Sequence, residues 1–424
     1  MQNQKNAPIK VGLINLGCKV NKYELDCMAN ILSNNGYQVC FEQVYADYYV
    51  LATCAVTNEA EKKSRQHIAK LAKLNPNAKI IVCGCASQNN AEQFKKQNVI
   101  AVIGNEGKDH ILDLLNGNNF KPYEVGLNYN NNVSCPYKTQ TRAYLKVQDG
   151  CNNFCSYCLI PYLRGRNRCR DFNDAINEAI ELSKTSNEIV ITGIDVSSYN
   201  SNGKDLGDLV YALKDINARI RLSSFEVRII SETFLQKLKE TKNFCPHFHL
   251  SLQSGSTSEL KRMNRHYTSE DYLNRINLIR KYFPDANITT DIIVGFPEQT
   301  DKEFNETLQT CLLAGFGHVH IFPYSVRNGT VAAKLKQVDF AIKKERVKQL
   351  TDVCKNNELK FYSSMINKTF TMLVEEQNNG MFEGYTENYI KVFVKHNLLQ
   401  PNQFVKVKLT QVIAGGMLAE VIGD

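Results

Sequence analysis

The sequence predicts an α/β protein of three parts: a parallel α/β domain, a run of about six βα units, and a small antiparallel β-barrel. Three observations support this prediction. Strand-like and helix-like segments alternate over residues 1–135, the alternation resumes over residues 136–365, and short period-two patterns replace it over residues 366–424. A chain of 424 residues is long enough for three such domains.

Composition and charge narrow the class of protein. Hydrophobic residues make up 43% of the chain and charged residues 22%, proportions typical of a globular protein with a core. The start of the chain lacks the apolar stretch of a secretory signal, and no apolar run could span a bilayer. We therefore expect a cytoplasmic protein without membrane contact. The net charge of +8 favours an anionic partner.

The first domain is expected to be Rossmann-like, a parallel sheet covered by helices. Functional groups gather at the carboxyl ends of strands in such sheets. Cys18 and Cys54 follow two of these ends, and Cys83 and Cys85 compete for the third place. We prefer Cys85, which lies further into the loop, and expect three thiols to meet in one metal site. The strand patterns lie at 11–17, 46–53, 79–83 and 99–103.

Three further thiols, Cys151, Cys155 and Cys158, lie within eight residues and are called the loop triplet below. Gly150 and the asparagines that follow Cys151 supply turn chemistry for a loop that brings the thiols together. A zinc site or an ordinary iron–sulfur cluster takes a fourth protein ligand. A C-x3-C-x2-C pattern with no fourth cysteine close by suggests a [4Fe–4S] cluster with one open iron. A zinc knuckle and buried structural thiols are the alternatives.

The cysteine segments resemble those of a known enzyme family. With Tyr157 before its last cysteine, the loop triplet resembles the signature of radical S-adenosylmethionine (SAM) enzymes. The segments GCKVNKYELD, ATCAVTNEAEKKSR and GCASQ resemble the three cysteine motifs of methylthiotransferases within that superfamily. The resemblance covers nearly the whole chain and implies two [4Fe–4S] clusters. One would bind SAM at the loop triplet, and the auxiliary one would carry sulfur at the strand-end triplet of Cys18, Cys54 and Cys85.

The same resemblance implies three domains and their bounds. Residues 1–135 would be the methylthiotransferase N-terminal domain, and the polar linker at 126–136 marks its end. Residues 136–365 would be the radical SAM core, a partial (β/α)6 barrel. Residues 366–424 would be a TRAM domain, an OB-like RNA-binding barrel. The strand patterns of the core lie at 143–149, 188–192, 219–225, 247–252, 287–294 and 318–322.

Several residues at the strand ends of the core match family motifs near SAM. The carboxylate of Glu226, for example, could accept hydrogen bonds from the ribose hydroxyls. For each residue taken alone, a purely structural role is the alternative. The resemblance implies SAM contacts by Tyr157, Gly193, Asp195, Glu226, Ser251, Gln253 and Arg265.

Two regions are candidates for RNA contact. A basic run follows the loop triplet and would contact phosphate, the alternative being a solvated loop; it consists of Arg164, Arg166, Arg168 and Arg170. From Lys368 onward the chain has five lysines and six acidic residues, so the last domain is not basic overall. Recognition there would rest on aromatic stacking, for example by Tyr385, unless the aromatic residues fill the barrel.

The segments GCKVN and FPYS-x-R-x-GT, the latter at Phe322–Thr330, most resemble one branch of the family. That branch methylthiolates C2 of N6-threonylcarbamoyladenosine at position 37 of tRNA. The implied partners are the tRNA anticodon stem-loop and an electron donor such as flavodoxin or ferredoxin, with the enzyme acting as a monomer. The C2–H bond is unactivated, which explains the need for a carbon radical. In the implied scheme one SAM methylates a sulfur of the auxiliary cluster, and a second is cleaved at the loop triplet.

Other functions remain open from the sequence. Two branches of the family use isopentenyladenosine in tRNA or an aspartate of a ribosomal protein, and a change of substrate would leave every catalytic motif intact. An alternative of another class is a non-catalytic iron–sulfur protein that binds RNA and senses redox state. That protein would form clusters and bind RNA but would not produce deoxyadenosine.

Overall fold

The computed structural model describes residues 8–117, 125–126, 128–129, 141–396 and 398–422. Its first part is a five-stranded parallel sheet, in the order β2-β1-β3-β4-β5, with a hydrophobic core on each face. This confirms the predicted parallel α/β domain. The strands are β1 (Lys10–Asn15), β2 (Gln38–Cys40), β3 (Tyr48–Thr53), β4 (Lys79–Gly84) and β5 (Val99–Val102), and the helices are α1 (Lys19–Asn34), α2 (Asn58–Leu74), α3 (Cys85–Asn89) and α4 (Ile111–Leu115).

Local interactions explain why helices begin close behind the strand-end cysteines. Cys18 caps α1, and its backbone N–H donates to the side-chain oxygen of Asn21 at 3.4 Å. Thr57 caps α2 and accepts a hydrogen bond from the N–H of Ala60 at 3.1 Å, which satisfies a donor that the first helical turn leaves free. Cys18 and Cys54 therefore lie in short connections between a strand end and a helix start, and Cys85 is the first residue of α3.

The second part is a partial barrel of six parallel strands in the order β6-β9-β12-β13-β14-β15. Isolated bridges from Ile220 to Phe244 and from Phe225 to Leu250 join its two three-stranded halves. The barrel strands are β6 (Arg142–Lys146), β9 (Glu188–Thr192), β12 (Arg219–Leu222), β13 (His247–His249), β14 (Asn287–Val294) and β15 (His318–Pro323). Two separate two-stranded sheets consist of β7 (Gln148–Asp149) with β8 (Arg168–Cys169) and of β10 (Asn200–Ser201) with β11 (Lys204–Asp205). The helices are α5 (Ile160–Arg164), α6 (Phe172–Ser183), α7 (Leu206–Ala212), α8 (Glu232–Glu240), α9 (Thr257–Arg262), α10 (Ser269–Tyr282) and α11 (Asp301–Ala314).

The third part follows the long helix α12 (Phe340–Ser364) and is a closed five-stranded barrel with its own hydrophobic core. This confirms the small barrel expected from the period-two patterns. Its order is β16-β17-β18-β20-β19. The strands are β16 (Thr369–Asn378), β17 (Met381–Thr386), β18 (Lys391–Val394), β19 (Phe404–Ile413) and β20 (Gly416–Val421).

Two details of the organisation differ from the sequence prediction or lie beyond the structure. The sheet of the first part has an additional edge strand, β2, which is only three residues long and shows no buried alternation. The expected boundary near residue 135 lies outside the described residues. Within the described part of the chain, no helix has the length and apolar character needed to cross a membrane.

Candidate active site

The loop triplet lies between β7 and α5, on a tightly curled loop. Gly150 has a φ of +70°, and a Cβ there would lie 1.9 Å from the carbonyl oxygen of Arg166, so only glycine fits. The N–H of Cys151 donates to the carbonyl of Gly165 at 3.1 Å, and that of Cys158 donates to the carbonyl of Cys155 at 2.9 Å. These bonds close the loop, as the sequence predicted.

The thiols of the loop triplet lie close enough to influence one another. Burial raises the pKa of Cys151 to about 11, and the neighbouring Cys155 adds to the rise. Burial raises the pKa of Cys158 to about 12, with further contributions from Cys155, Cys151 and Cys85. Thiols with such values stay protonated at neutral pH unless a cationic partner favours the thiolate, and an iron centre would be such a partner.

Four of the residues expected near SAM surround this loop. The side-chain amide of Asn153, inside the loop, donates to Asp195 at 3.2 Å and to Glu226 at 2.9 Å. Arg265 donates to the thiol of Cys155 at 3.5 Å and to the carbonyl of Ser251 at 3.2 Å, and it forms an ion pair with Glu226 at 2.8 Å. The carboxyl ends of β9, β12 and β13 are thus fastened to the cysteine loop.

Gly193 has a supporting position beside the same group. A Cβ on Gly193 would lie 2.8 Å from the side-chain oxygen of Gln148, and this oxygen accepts the backbone N–H of Asp195 at 2.7 Å. Glycine therefore allows Gln148 to hold Asp195 in place. Sequence reasoning missed Gln148 and gave Asn153 only a role in the turn of the loop.

The polar groups around the loop leave acceptor capacity for a ligand. One carboxylate oxygen of Asp195 is buried and, among the described residues, has no hydrogen-bond partner. Its other oxygen accepts from Arg228 at 2.6 Å. A buried acceptor without a partner costs free energy unless a donor reaches it. The hydroxyl and amino donors of a nucleoside such as SAM fit this requirement.

The strand-end triplet is assembled by β1, β3 and β4. Burial raises the pKa of Cys54 to about 11, and both Cys85 and Cys18 add to the rise, so the three thiols lie near one another. Burial likewise raises the pKa of Cys18, opposed by Arg164 and assisted by Cys85. Cys83 instead packs in the hydrophobic core on the α1 side of the sheet. This arrangement supports Cys85 as the third ligand.

Arg164 connects the two triplets. It is 0% exposed, and its Nε donates to the thiol of Cys85 at 3.3 Å. Its guanidinium also forms ion pairs with Glu24 at 2.9 Å and with Asp149 at 3.1 Å. Arg164 ends the helix that follows the loop triplet, whereas Glu24 and Cys85 belong to the first domain. A buried charge network therefore joins the two domains beside the thiols.

The basic run is mostly buried. Arg168 pairs with Glu106 at 3.5 Å, and Arg170 pairs with Glu178 at 2.5 Å. Carboxylates inside the protein neutralise Arg164, Arg168 and Arg170, so the structure supports the role of these three arginines in internal ion pairs, and their phosphate contact stays a prediction. Arg166 is exposed and lies over the ring of Phe154 at 4.4 Å, so its RNA contact stays a prediction.

Tyr385 also has partners within the protein. Its ring is half-buried and stacks on Tyr389 with centroids 4.6 Å apart, and the guanidinium of Arg142 lies 4.9 Å from its centroid. Arg142 belongs to β6 of the partial barrel. The structure thus places Tyr385 in the contact between domains, and its role in stacking RNA bases stays a prediction.

A cavity of about 260 Å³ separates the two domains near the triplets. Val56 and Thr57, just past Cys54, line one side, while Tyr157 and Gln253 line the other. Within the described ranges, no group of three or more His, Cys, Asp or Glu side chains is placed to hold a single metal ion. A [4Fe–4S] cluster spreads its thiolates over different irons. The donor set of three thiols at each place fits such a cluster.

Three family models match the chain. The Radical SAM superfamily matches residues 145–311, the uncharacterized protein family UPF0004 matches residues 10–104, and the TRAM domain matches residues 363–422. The first range contains the loop triplet and most of the partial barrel. The second contains the strand-end triplet, and the third contains the closed barrel.

Several known proteins are similar over most of the chain. The threonylcarbamoyladenosine tRNA methylthiotransferase MtaB of Bacillus subtilis (strain 168) is 36% identical over 419 residues, which cover 93% of this chain and 92% of that protein. Its counterpart from Thermotoga maritima is 37% identical over 403 residues, with coverages of 92% and 93%. The tRNA-2-methylthio-N(6)-dimethylallyladenosine synthase of Bacillus mycoides (strain KBAB4) is 34% identical over 432 residues, with coverages of 96% and 85%.

Solved structures share the fold at low sequence identity. The radical SAM methyltransferase TsrM from Kitasatospora setae superposes with a TM-score of 0.54 at 14% identity and covers 77% of each chain. The cobalamin-dependent SAM radical enzyme OxsB superposes with a TM-score of 0.51 at 13% identity, covering 84% of this chain and 57% of its own. At such identities the likeness concerns the fold alone.

Proposed function

The chain belongs to the family of radical SAM tRNA methylthiotransferases, and we propose that it places a methylthio group on C2 of N6-threonylcarbamoyladenosine at position 37 of tRNA. Relatives that are 36% and 37% identical to this chain carry the name of this activity. A C–H bond at C2 is replaced by a C–S bond, and no side-chain base can remove that hydrogen as a proton at neutral pH. The reaction therefore requires both a radical source and a sulfur source.

One observation carries the proposal: both triplets lie beside the same cavity. Val56 and Thr57 follow Cys54 of the strand-end triplet, and Tyr157 precedes Cys158 of the loop triplet. All three residues line the 260 Å³ cavity. A base in the cavity would lie between the two triplets. A cluster at the loop triplet, together with SAM, could then remove the hydrogen from C2, and a cluster at the strand-end triplet could supply the sulfur. An enzyme with a single cluster would not need a second thiol triplet beside the same cavity.

We propose one [4Fe–4S] cluster at each triplet, with Cys151, Cys155 and Cys158 holding the cluster that binds SAM. When bound, this cluster and SAM supply a radical able to remove hydrogen from an unactivated carbon. The protein's own contribution is to orient the cofactor. Asp195 and Glu226 offer acceptors to its donors, and Tyr157 and Gln253 shape the cavity wall. The strand-end triplet would hold the sulfur-carrying cluster, kept close by Arg164.

The proposed partners follow from the same reaction. The substrate is the tRNA anticodon stem-loop, whose loop bases can leave the stack without melting a duplex. The net charge of +8 and the TRAM domain support an RNA partner. Reduction of a cluster requires an electron donor such as flavodoxin or ferredoxin. We propose that the enzyme acts as a monomer in the cytoplasm.

The test offers the enzyme two substrates at once. Anaerobically reconstituted protein is incubated with SAM, a reductant, and equal amounts of tRNA bearing threonylcarbamoyladenosine and tRNA bearing isopentenyladenosine, and the digested nucleosides are analysed by mass spectrometry. We expect a methylthio group on the first nucleoside and little on the second. A reversed preference would assign the chain to the isopentenyl branch. Neither product, from protein with verified clusters, would favour the RNA-binding redox sensor.

A further inference from the structure

The inner face of the partial barrel forms a polar lumen, defined here by Arg221, His247, His249, Asp291 and His320. On each strand these side chains alternate with apolar ones that pack outward in the main hydrophobic core. The Nε2–H of His249 donates to the carboxylate of Asp291 at 3.1 Å, and the rings of His249 and His320 lie 5.7 Å apart. A parallel barrel usually fills its interior with branched apolar side chains. This one keeps its interior polar.

The closed barrel covers the far end of the lumen. Arg219 donates to the backbone carbonyls of Thr371 at 3.2 Å and of Tyr385 at 3.0 Å. The imidazole of His247 stacks on Tyr389 with centroids 4.7 Å apart. Both contacts lie at the amino ends of their strands. The lumen is therefore closed on that side, and it opens toward the strand-end triplet and the cavity that Asp291 helps to line.

A cationic side chain of the first domain, Lys19, lies at the open end of the lumen. Lys19 is the first residue of α1, next to Cys18, and it is exposed. Helix α1 packs against β6 of the partial barrel, where Tyr144 lies against Tyr23. The charge of Lys19 also lowers the pKa of both Asp291 and His320, so its side chain lies near the open end of the lumen. In the described part of the chain, no carboxylate forms an ion pair with Lys19 and no hydrogen bond involves its ammonium. This cation is therefore available to a ligand.

The chemistry of the lumen selects among the possible substituents on the base. An apolar group placed against Lys19 and Asp291 would remove their hydration and offer no hydrogen bond in return, which is unfavourable. A carboxylate would form a charge-assisted bond with the ammonium. An adjacent hydroxyl or N–H could donate to Asp291, since a carboxylate accepts several hydrogen bonds. The threonylcarbamoyl group has all three functions, and the dimethylallyl group has none.

We propose that Lys19, Asp291 and His320 form the subsite for the N6 substituent of the substrate base, and that Lys19 holds its carboxylate. The proposal rests on the proposed function and deepens it, because it names the residues that distinguish the threonylcarbamoyl group from an apolar one. Lys19 directly follows Cys18, which belongs to the strand-end triplet. The subsite therefore places the substituent next to the proposed source of sulfur.

The first arm of the test changes the ligand and leaves the protein intact. Anticodon stem-loops bearing threonylcarbamoyladenosine, its carboxamide analogue, or unmodified adenosine are titrated into the reconstituted protein with SAM, and binding is followed by fluorescence anisotropy. We expect the carboxamide to bind about 10-fold or more weakly than the carboxylate, the loss of one charged hydrogen bond. Equal affinities for carboxylate and carboxamide would overturn the proposal.

The second arm changes Lys19. Lys19→Met should raise the KM and the Kd for the threonylcarbamoylated stem-loop about 10-fold or more, and leave the affinity for unmodified adenosine unchanged. Lys19→Arg should restore much of the binding. Lys302→Met, which removes an exposed lysine of α11, is the matched control and should change neither value. Iron content verifies that each variant retains its clusters.

The outcomes separate this inference from the proposed function. If the wild-type enzyme methylthiolates threonylcarbamoyladenosine but Lys19→Met binds it equally well, the subsite is wrong and the function stands. If the wild-type enzyme binds threonylcarbamoylated and unmodified stem-loops equally and forms no methylthio product, the proposed function fails and the subsite with it. If the wild-type enzyme binds the threonylcarbamoylated stem-loop more tightly than the unmodified one and Lys19→Met does not, the result supports both the subsite and the proposed function.

Discussion

The two cysteine triplets are built in opposite ways. The loop triplet comes from eight consecutive residues, and a single turn at Gly150 closes their loop. The strand-end triplet collects Cys18, Cys54 and Cys85 from three strand ends, and an arginine of the neighbouring domain bonds to the last of them. The first triplet depends on local geometry. The second depends on the sheet and on the contact between two domains, so substitutions should separate the two sites.

The largest effect is expected in the loop triplet. Cys155→Ala removes one of three thiols that a three-cysteine cluster needs, and we expect deoxyadenosine formation from SAM to fall to background. Chromatography of the anaerobic reaction measures this product. Cys169→Ala, which removes a half-buried thiol near the loop but outside the triplet, should retain the activity. An equal loss of deoxyadenosine formation in Cys155→Ala and Cys169→Ala would show that the activity does not depend specifically on the loop triplet.

A more selective effect is expected in the strand-end triplet. Cys54→Ala should leave deoxyadenosine formation in place and abolish the methylthio nucleoside, because the two sites would have separate roles. Both products can be quantified in one digest. Cys40→Ala, another half-buried thiol of the first domain, serves as the control and should retain both products. A methylthio product from Cys54→Ala would contradict the division of roles.

The third prediction concerns the contact between the domains. Arg164→Met leaves Glu24 and Asp149 with less compensation in a buried site, which should lower the free energy of unfolding by about 3–5 kcal/mol. Denaturant unfolding under anaerobic conditions measures it. Arg166→Met, two residues away and exposed, should have little effect on stability. If the two variants unfold alike, the buried network does not join the domains in solution.

The smallest effect is expected at the exposed side of the loop triplet. Arg166→Ala should weaken tRNA binding only about 2- to 5-fold and make it slightly less dependent on salt, as for the loss of one phosphate contact. Filter binding at several salt concentrations gives both quantities. Tyr385→Leu should not alter the salt dependence, since its ring lies in a contact between domains. A steep loss of binding by Tyr385→Leu without loss of stability would support its RNA role.

The sequence predicted elements whose signal is local. The alternation of strands and helices, the loop around Gly150 and the position of Cys85 just after its strand all follow from neighbouring residues, and the structure agrees with these predictions. Asp195, Glu226, Ser251 and Arg265 were named from short motifs and do gather at the loop triplet.

The sequence is less informative about residues whose partners are distant in the chain. Arg164 pairs with Glu24, which is 140 positions away, so a basic run that resembles a surface loop is buried instead. Tyr385 faces a barrel strand that begins at Arg142. Lys19 follows Cys18 in a family motif, and its proposed place beside the lumen depends on how the first domain packs against the second. The sequence shows that a residue is charged, but it does not show which distant residue pairs with that charge.

The most direct test of the two-site account is the iron and sulfide content of three anaerobically reconstituted proteins. These are the wild type, a variant with alanine at Cys18, Cys54 and Cys85, and a variant with alanine at Cys151, Cys155 and Cys158. We predict about eight irons per chain in the wild type and about four in each variant, as two independent [4Fe–4S] clusters require. About four irons in the wild type, or loss of all iron from either variant, would contradict the account.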